Sequence, residues 1–297
     1  MLNLIRHFVY AAFFAGLAYA CGATAQPVLP ALNQSHSDLS LPGKHVWMDL
    51  ATPNVNGQKK FYGDVFGWTF RSPGNTPDNY TVIYNGSRAI GGLFEYVPPG
   101  GEQDGAVWIN LFAVADARKA AEQITELGGS LVAAPVSIPK RGKHALLMDP
   151  DEAIFGVLES SSGDPPDQHI DIGEVFWIDL FTHDQQAMGA FYSKIINVET
   201  SSQNITRDVD KIILNVDGLP RAGIVPVDDE ANRSAWVAYI RVADVEASLK
   251  KVVDGGGFAI IPPSAELLDG NLAVVVDPHG GVIGLVRWDD DDQEVVQ

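Results

Sequence analysis

Apolar positions along this chain alternate between two periods, and the order of the alternation predicts its elements. Val46 to Ala51 (Val-Trp-Met-Asp-Leu-Ala) reads as a strand. In the polar turn Thr52-Pro53-Asn54, Thr52 is placed as a helix cap and Pro53 just inside the helix start. The helix runs to about Phe66, before Gly67-Trp68, and shorter strands follow around Tyr80 to Tyr84 and Ala89 to Tyr96. The order then recurs: a strand from Val107 to Val114, then a helix capped by Asp116. Its Ala117, Ala120, Ala121, Ile124 and Leu127 fall at helical spacing, with Gly128 as the stop. Strands near Ser130 to Ala133, His144 to Met148 and Ile154 to Glu159 complete this second module, with Asp149-Pro150-Asp151-Glu152 as a connecting turn.

The whole arrangement is then written again. Trp108, Asp116, Gly128-Gly129, Asp149-Pro150 and Gly156 return as Trp236, Asp244, Gly256-Gly257, Asp277-Pro278 and Gly284, at a constant offset (236 − 108 = 128, 284 − 156 = 128). Upstream, Trp47-Met48-Asp49-Leu50 and Phe61-Tyr62 return as Trp177-Ile178-Asp179-Leu180 and Phe191-Tyr192, at 177 − 47 = 130. A unit of more than a hundred residues is duplicated, so the chain is four modules of strand, helix, then strands.

Composition adds compartment and partner class. A hydrophobic content of 46% with 20% charged residues suits a packed fold, and the net charge of −18 repels phosphate backbones, which disfavours nucleic-acid partners. Residues 1–25 read as an export signal: Arg6, an apolar run from Phe8 to Tyr19 too short to span a bilayer, and the small residues Ala23-Thr24-Ala25. Cys21, the only cysteine, follows Leu17-Ala18-Tyr19-Ala20 and precedes Gly22, which resembles a lipoprotein box. Two routes are therefore open, a periplasmic protein cleaved after Ala25 or a membrane-anchored lipoprotein acylated at Cys21, membrane contact being through that anchor alone. Residues 26–43 read as a linker, 44–160 as domain 1, 161–173 as a second linker, 174–288 as domain 2 and 289–297 as an acidic tail.

The strings Trp47-Met48-Asp49-Leu50-Ala51-Thr52, Phe61-Tyr62, Phe66-Gly67-Trp68, Ala115-Asp116, Asp149-Pro150 and Phe155-Gly156 resemble the vicinal-oxygen-chelate superfamily, which includes glyoxalase I, bleomycin-resistance proteins and extradiol dioxygenases. The resemblance implies an α+β fold of two tandem domains, each of paired βαβββ modules curling a mixed sheet around a cavity. It also implies a divalent metal held by His and Glu side chains from the first strand of each module and from late strands. The matching positions here are Trp47 or Asp49, Trp177 or Asp179, Trp108-Ile109-Asn110, Trp236-Val237-Ala238, and glycine at both 156 and 284. Glycine has no side chain to ligate with, so the expectation is no resident cofactor and a small-molecule ligand bound without metal. The alternative is a metal-dependent lyase or dioxygenase using a domain 1 set of His45, Glu95, His144 and Glu159, two His and two Glu of the right ligand types.

Trp47, Asp49, Trp177 and Asp179, with Lys140 and Arg141, are the candidate ligand-binding residues. Asp49 and Asp179 interrupt apolar strands, so each is either a polar anchor or base at the base of a cavity or a structural acceptor that every copy of the fold needs. The four recurring tryptophans either line a pocket or fill a core. Lys140-Arg141, in the only basic cluster, either meets an anionic group or lies on a solvated loop.

Overall fold

The computed structural model describes residues 29–73, 80–97, 105–206, 209–227 and 234–289. The expected export signal with Cys21, and all but the first residue of the acidic tail, lie outside the described residues. Domain 1 contains β1 (His45–Thr52), α1 (Val55–Phe66), β2 (Thr69–Arg71), β3 (Tyr80–Asn85), β4 (Arg88–Glu95), β5 (Val107–Ala113), α2 (Ala117–Gln123), β6 (Ser130–Ile138), β7 (Gly142–Met148) and β8 (Ile154–Ser160). Domain 2 repeats them as β9 (Val175–Thr182), α3 (Gln185–Ile195), β10 (Glu199–Thr206), β11 (Val209–Val216), β12 (Leu219–Pro226), β13 (Ala235–Arg241), α4 (Val245–Asp254), β14 (Phe258–Ile261), β15 (Leu272–Val276) and β16 (Val282–Val286).

Each domain is one curled eight-stranded mixed sheet, in the orders β2-β3-β4-β1-β5-β8-β7-β6 and β10-β11-β12-β9-β13-β16-β15-β14. The modules pair within a repeat: β1 runs antiparallel to β5 and β9 to β13, whereas β1/β4 and β5/β8 are parallel. The expected α+β fold with two tandem domains is therefore the observed one.

Strand alternation assigns the two faces of each sheet different work. In β1, Met48 and Leu50 face the helices while Trp47 and Ala51 face the concave side. The helix-bearing faces meet back to back. One cluster joins Phe61 and Tyr62 of module 1 and Trp108 of module 2 to Ile240, Val252 and Leu285 of module 4, and the other joins Phe112, Ile124 and Phe155 of module 2 to Leu180 and Tyr192 of module 3 and Trp236 of module 4. The concave faces of the two sheets therefore point away from the seam.

A polar relay crosses each half of this seam. Trp236 Nε1 donates to Tyr192 OH (2.9 Å), which donates to Asp149 of domain 1 (2.8 Å); Trp108 Nε1 donates to Tyr62 OH (2.8 Å), which donates to Asp277 of domain 2 (2.7 Å). Each aspartate also holds its own turn, Asp149 through the amides of Asp151 and Ala153, Asp277 through those of His279 and Gly281. The repeated Asp-Pro, Trp and Phe-Tyr strings thus encode a domain-to-domain fastening. Trp108 and Trp236 are seam core and do not line a pocket.

Burial holds the Asp149 carboxyl up at about 6, although Tyr192 and two backbone amides favour its anion. A carboxyl raised above its unfolded value stabilises the fold fully below about pH 4 and loses that contribution as pH climbs through about 6, a swing of up to ~3 kcal/mol for two pKa units. In urea unfolding from pH ~4 to ~7 the stability of the wild type relative to Asp149→Asn is expected to fall by this order. A pH-independent difference would contradict it.

Local details depart from the sequence expectation in three places. Thr52 is not the cap of α1: it ends β1, and Asn54 caps the helix by accepting from Gly57 N (2.9 Å). The short β2 was absent from the apolar pattern, since only Phe70 of its three residues is apolar. The third is β6, which runs through Pro135 to Ile138 because it is the edge strand of its sheet, where a missing amide donor costs nothing. Asp116 and Asp244 do cap α2 and α4. Residues 29–43 are pinned to the second linker, with Ser37 N donating to Ser162 O and Leu41 N to Asp164, and they deliver Leu29 into the apolar cluster of cup 1.

Candidate functional site

The base of cup 1 is built from adjacent strands. Asp49, in the middle of β1, points into the concave face and accepts from Trp47 Nε1 (3.0 Å) and Tyr80 OH (2.7 Å). Tyr80 reaches across from β3 only because Gly92 lies between them on β4: a Cβ there would stand 1.9 Å from the Tyr80 hydroxyl and 2.1 Å from the Asp49 carboxylate. Burial pushes the Asp49 carboxyl up, opposed by its two hydrogen bonds and by the charge of Arg141. Val82, Phe94, Ile109, Leu146 and Leu158 supply an apolar wall.

Arg141 follows Lys140, whose left-handed backbone (φ 66°) and that of Gly142 (φ 122°) fold the β6–β7 hairpin tightly. The two basic neighbours separate. Lys140 is exposed, whereas Arg141 is 0% exposed, with its guanidinium carbon 3.8 Å from the Trp47 ring centroid. All three guanidinium nitrogens are buried without a hydrogen-bond partner among the described residues, and so is His144 Nε2 nearby. Burial, then the Arg141 charge, holds His144 far below its ordinary range, so its ring is neutral.

Cup 2 is chemically different. Trp177 Nε1 donates to Asp179 (2.7 Å), but the partner arriving from β11 is Lys211, 2.6 Å from the same carboxylate oxygen. Lys211 corresponds to Tyr80 and Gly223 to Gly92 at one offset (211 − 80 = 131, 223 − 92 = 131), and a Cβ at Gly223 would likewise meet Lys211 and Asp179. Tyr239 faces Asp179 as well. The recurrence of Gly92 as Gly223 was the one sequence signal for Tyr80 and Lys211.

Residues 45–158 match the Glyoxalase-like domain family. Over 83% of its length the chain is 26% identical to the anthracycline biosynthesis protein DauV of Streptomyces sp. (strain C5), covering 94% of that protein. It is 24% identical to the putative glyoxylase CFP32 of Mycobacterium bovis (strain ATCC BAA-935 / AF2122/97), over 81% of this chain and 93% of the relative. Among solved structures, the Mn(II)-bound glyoxalase from Novosphingobium aromaticivorans superimposes with a TM-score of 0.55 at 14% identity, covering 84% of this chain and 83% of the other. The 2,3-dioxygenase LapB from Pseudomonas sp. KL28 does so with 0.57 at 11%, covering 84% and 93%. These likenesses establish the vicinal-oxygen-chelate fold for both domains.

Neither domain presents the metal donors that this fold implies at the matching positions. Trp108 and Asn110 point to the seam, Asn110 Oδ1 contacting His45 Nε2 at 3.1 Å. A Cβ on Gly156 would lie 2.5 Å from Leu111 Cγ, and one on Gly284 only 2.1 Å from the Tyr239 ring, so apolar or aromatic side chains fill both late-strand positions.

The alternative set is not brought together either. His45 packs edge-on against Phe112 on the helix face, Glu95 is exposed, and Glu159 accepts from Ala117 N (3.2 Å) and Lys143 Nζ (2.5 Å). His144 alone of the four faces the cup. Among the described residues no three His, Cys, Asp or Glu side chains converge. Asp49 and His144 share the cup with a guanidinium, whose charge opposes a cation there.

Proposed function

We propose that the protein binds a small organic molecule in the cup of its glyoxalase-like domain without using a metal. The observation that carries this reading is the exchange at the fold's ligand positions: Leu111 fills the space at Gly156, while Asp49, His144 and Arg141 turn polar groups inward beside Trp47. Small-molecule sites combine an apolar wall with a few convergent polar groups, and domain 1 supplies both on one face of its sheet. Trp47, Asp49 and Arg141 are assigned to the ligand. Lys140 is placed at the rim. Trp177 and Asp179 are assigned to a second cup whose polar groups are already paired with one another.

Metal analysis of the purified full chain tests the proposal. The expected result is less than stoichiometric Mn, Fe, Ni or Zn, with folding unchanged by a chelator. Stoichiometric metal that disappears in His144→Ala would instead favour the metal-dependent lyase or dioxygenase reading. Export belongs to the same proposal. The expected mass of the mature protein is that of a chain beginning at Gln26 or of one acylated at Cys21.

A further inference from the structure

A guanidinium keeps its proton in any protein environment and carries five N–H donors in one plane. Its burial without a hydrogen-bond acceptor is unfavourable by several kcal/mol, more than a folded domain retains at a position that does nothing. Arg141 is in this state among the described residues: 0% exposed, every nitrogen unpartnered, one face covered by the Trp47 ring. Asp49 does not satisfy it, since the Asp49 oxygen with hydrogen bonds is held by Trp47 and Tyr80. Trp47 covers a face of the guanidinium but not its edge, and the edge is where the donors point.

The duplication supplies a control. The positions corresponding to Arg141 and His144 are Asp269 and Leu272 (141 + 128 = 269, 144 + 128 = 272), and Asp269 is exposed. Cup 2 satisfies its charges internally through the 2.6 Å Asp179–Lys211 pair. Cup 1 has the neutral Tyr80 phenol in place of that cation and takes a separate cation from the β6–β7 hairpin, whose N–H donors meet no acceptor among the described residues. The fold therefore does not require Arg141.

We infer that cup 1 is a carboxylate site. An organic acid enters with its two coplanar oxygens on the edge of the Arg141 guanidinium and its apolar body against Val82, Phe94, Leu146 and Leu158. Two parallel N–H···O bonds match guanidinium to carboxylate geometry. His144 Nε2 is the additional group beside the head, and in its neutral form it neither repels Arg141 nor competes for the acid. This assignment rests on the proposal that cup 1 binds its ligand without metal, and specifies the ligand's class.

The test uses benzoate and its uncharged isostere benzamide as probes of the full chain, followed by calorimetry and by thermal unfolding, with and without EDTA. Benzoate is expected to saturate one site and benzamide to bind at least tenfold more weakly. Arg141→Met should weaken benzoate about 100-fold, the loss of a charge-assisted buried pair. It should also raise the melting temperature of the probe-free protein by about 2–4 °C, since a buried guanidinium without an acceptor has been removed. A structural arginine would do the opposite.

A melting temperature lowered by Arg141→Met, benzamide binding as tightly as benzoate, or absence of saturable benzoate binding overturns the carboxylate assignment and leaves the metal-free reading standing. Benzoate binding that EDTA abolishes but that still depends on Arg141 overturns the metal-free reading and leaves the carboxylate assignment standing.

Discussion

Trp236→Ala is expected to destabilise the protein by about 4 kcal/mol, the range for losing a large aromatic side chain from a packed core. The indole sits between domains, 4.8 Å from the Phe112 ring of domain 1 and 5.1 Å from Tyr192 of domain 2, both edge to face. Truncation opens a cavity at the seam and also removes the donor to Tyr192 OH, the middle of the relay to Asp149. Trp108→Ala should be comparable, because it breaks the equivalent relay through Tyr62 to Asp277. Trp177→Ala, in the more open cup 2, should cost less than half as much. Urea unfolding of the three variants measures the series. Equal losses at Trp177 and Trp236 would mean that the recurring tryptophans do not divide into cup and seam classes.

Gly92→Ala is the second large effect, expected at about 3 kcal/mol, the upper end for overpacking a filled site. The new methyl would overlap the Tyr80 ring and the Asp49 carboxylate, both on stiff neighbouring strands and both buried, so the phenol-to-carboxylate bond at the base of the cup is lost. Gly223→Ala provides the comparison. It shares the carboxylate contact, Asp179 at 2.3 Å, but its nearest obstacle is the end of the Lys211 side chain, which can swing away where the Tyr80 ring cannot, so a smaller loss of about 2 kcal/mol is expected. Paired unfolding curves decide this. A milder effect at Gly92 than at Gly223 would contradict the account of how cup 1 is built.

Much of the architecture was legible because duplication made the chain its own control. The alternation in Val46 to Ala51, the caps at Asp116 and Asp244 and the Asp-Pro turns each predict local structure, and all are found where the pattern put them. The site was legible only in part. Trp47 and Asp49 do face one cup together, yet Lys140 and Arg141, adjacent and alike in charge, part company: one is solvated and the other is fully buried. Sequence adjacency cannot separate two such residues in a tight turn, since the direction of each side chain depends on backbone angles set by pairing with distant strands.

Local patterning and the repeat were enough to determine the modules, their fourfold order and the missing side chains at Gly156 and Gly284, and the α+β class followed from the family resemblance that those strings carry. Those are properties of short-range periodicity and of residue identity. Tertiary structure alone decided that modules pair within a repeat, that the sheets stand back to back, that Trp108, Trp236, Tyr62 and Tyr192 fasten one domain to the other, and that Tyr80 and Arg141 enter cup 1. Each of those outcomes joins residues between 30 and more than 200 positions apart. Which partner a buried polar group finds is settled by the packing of the whole chain, where leaving it unpaired is costly.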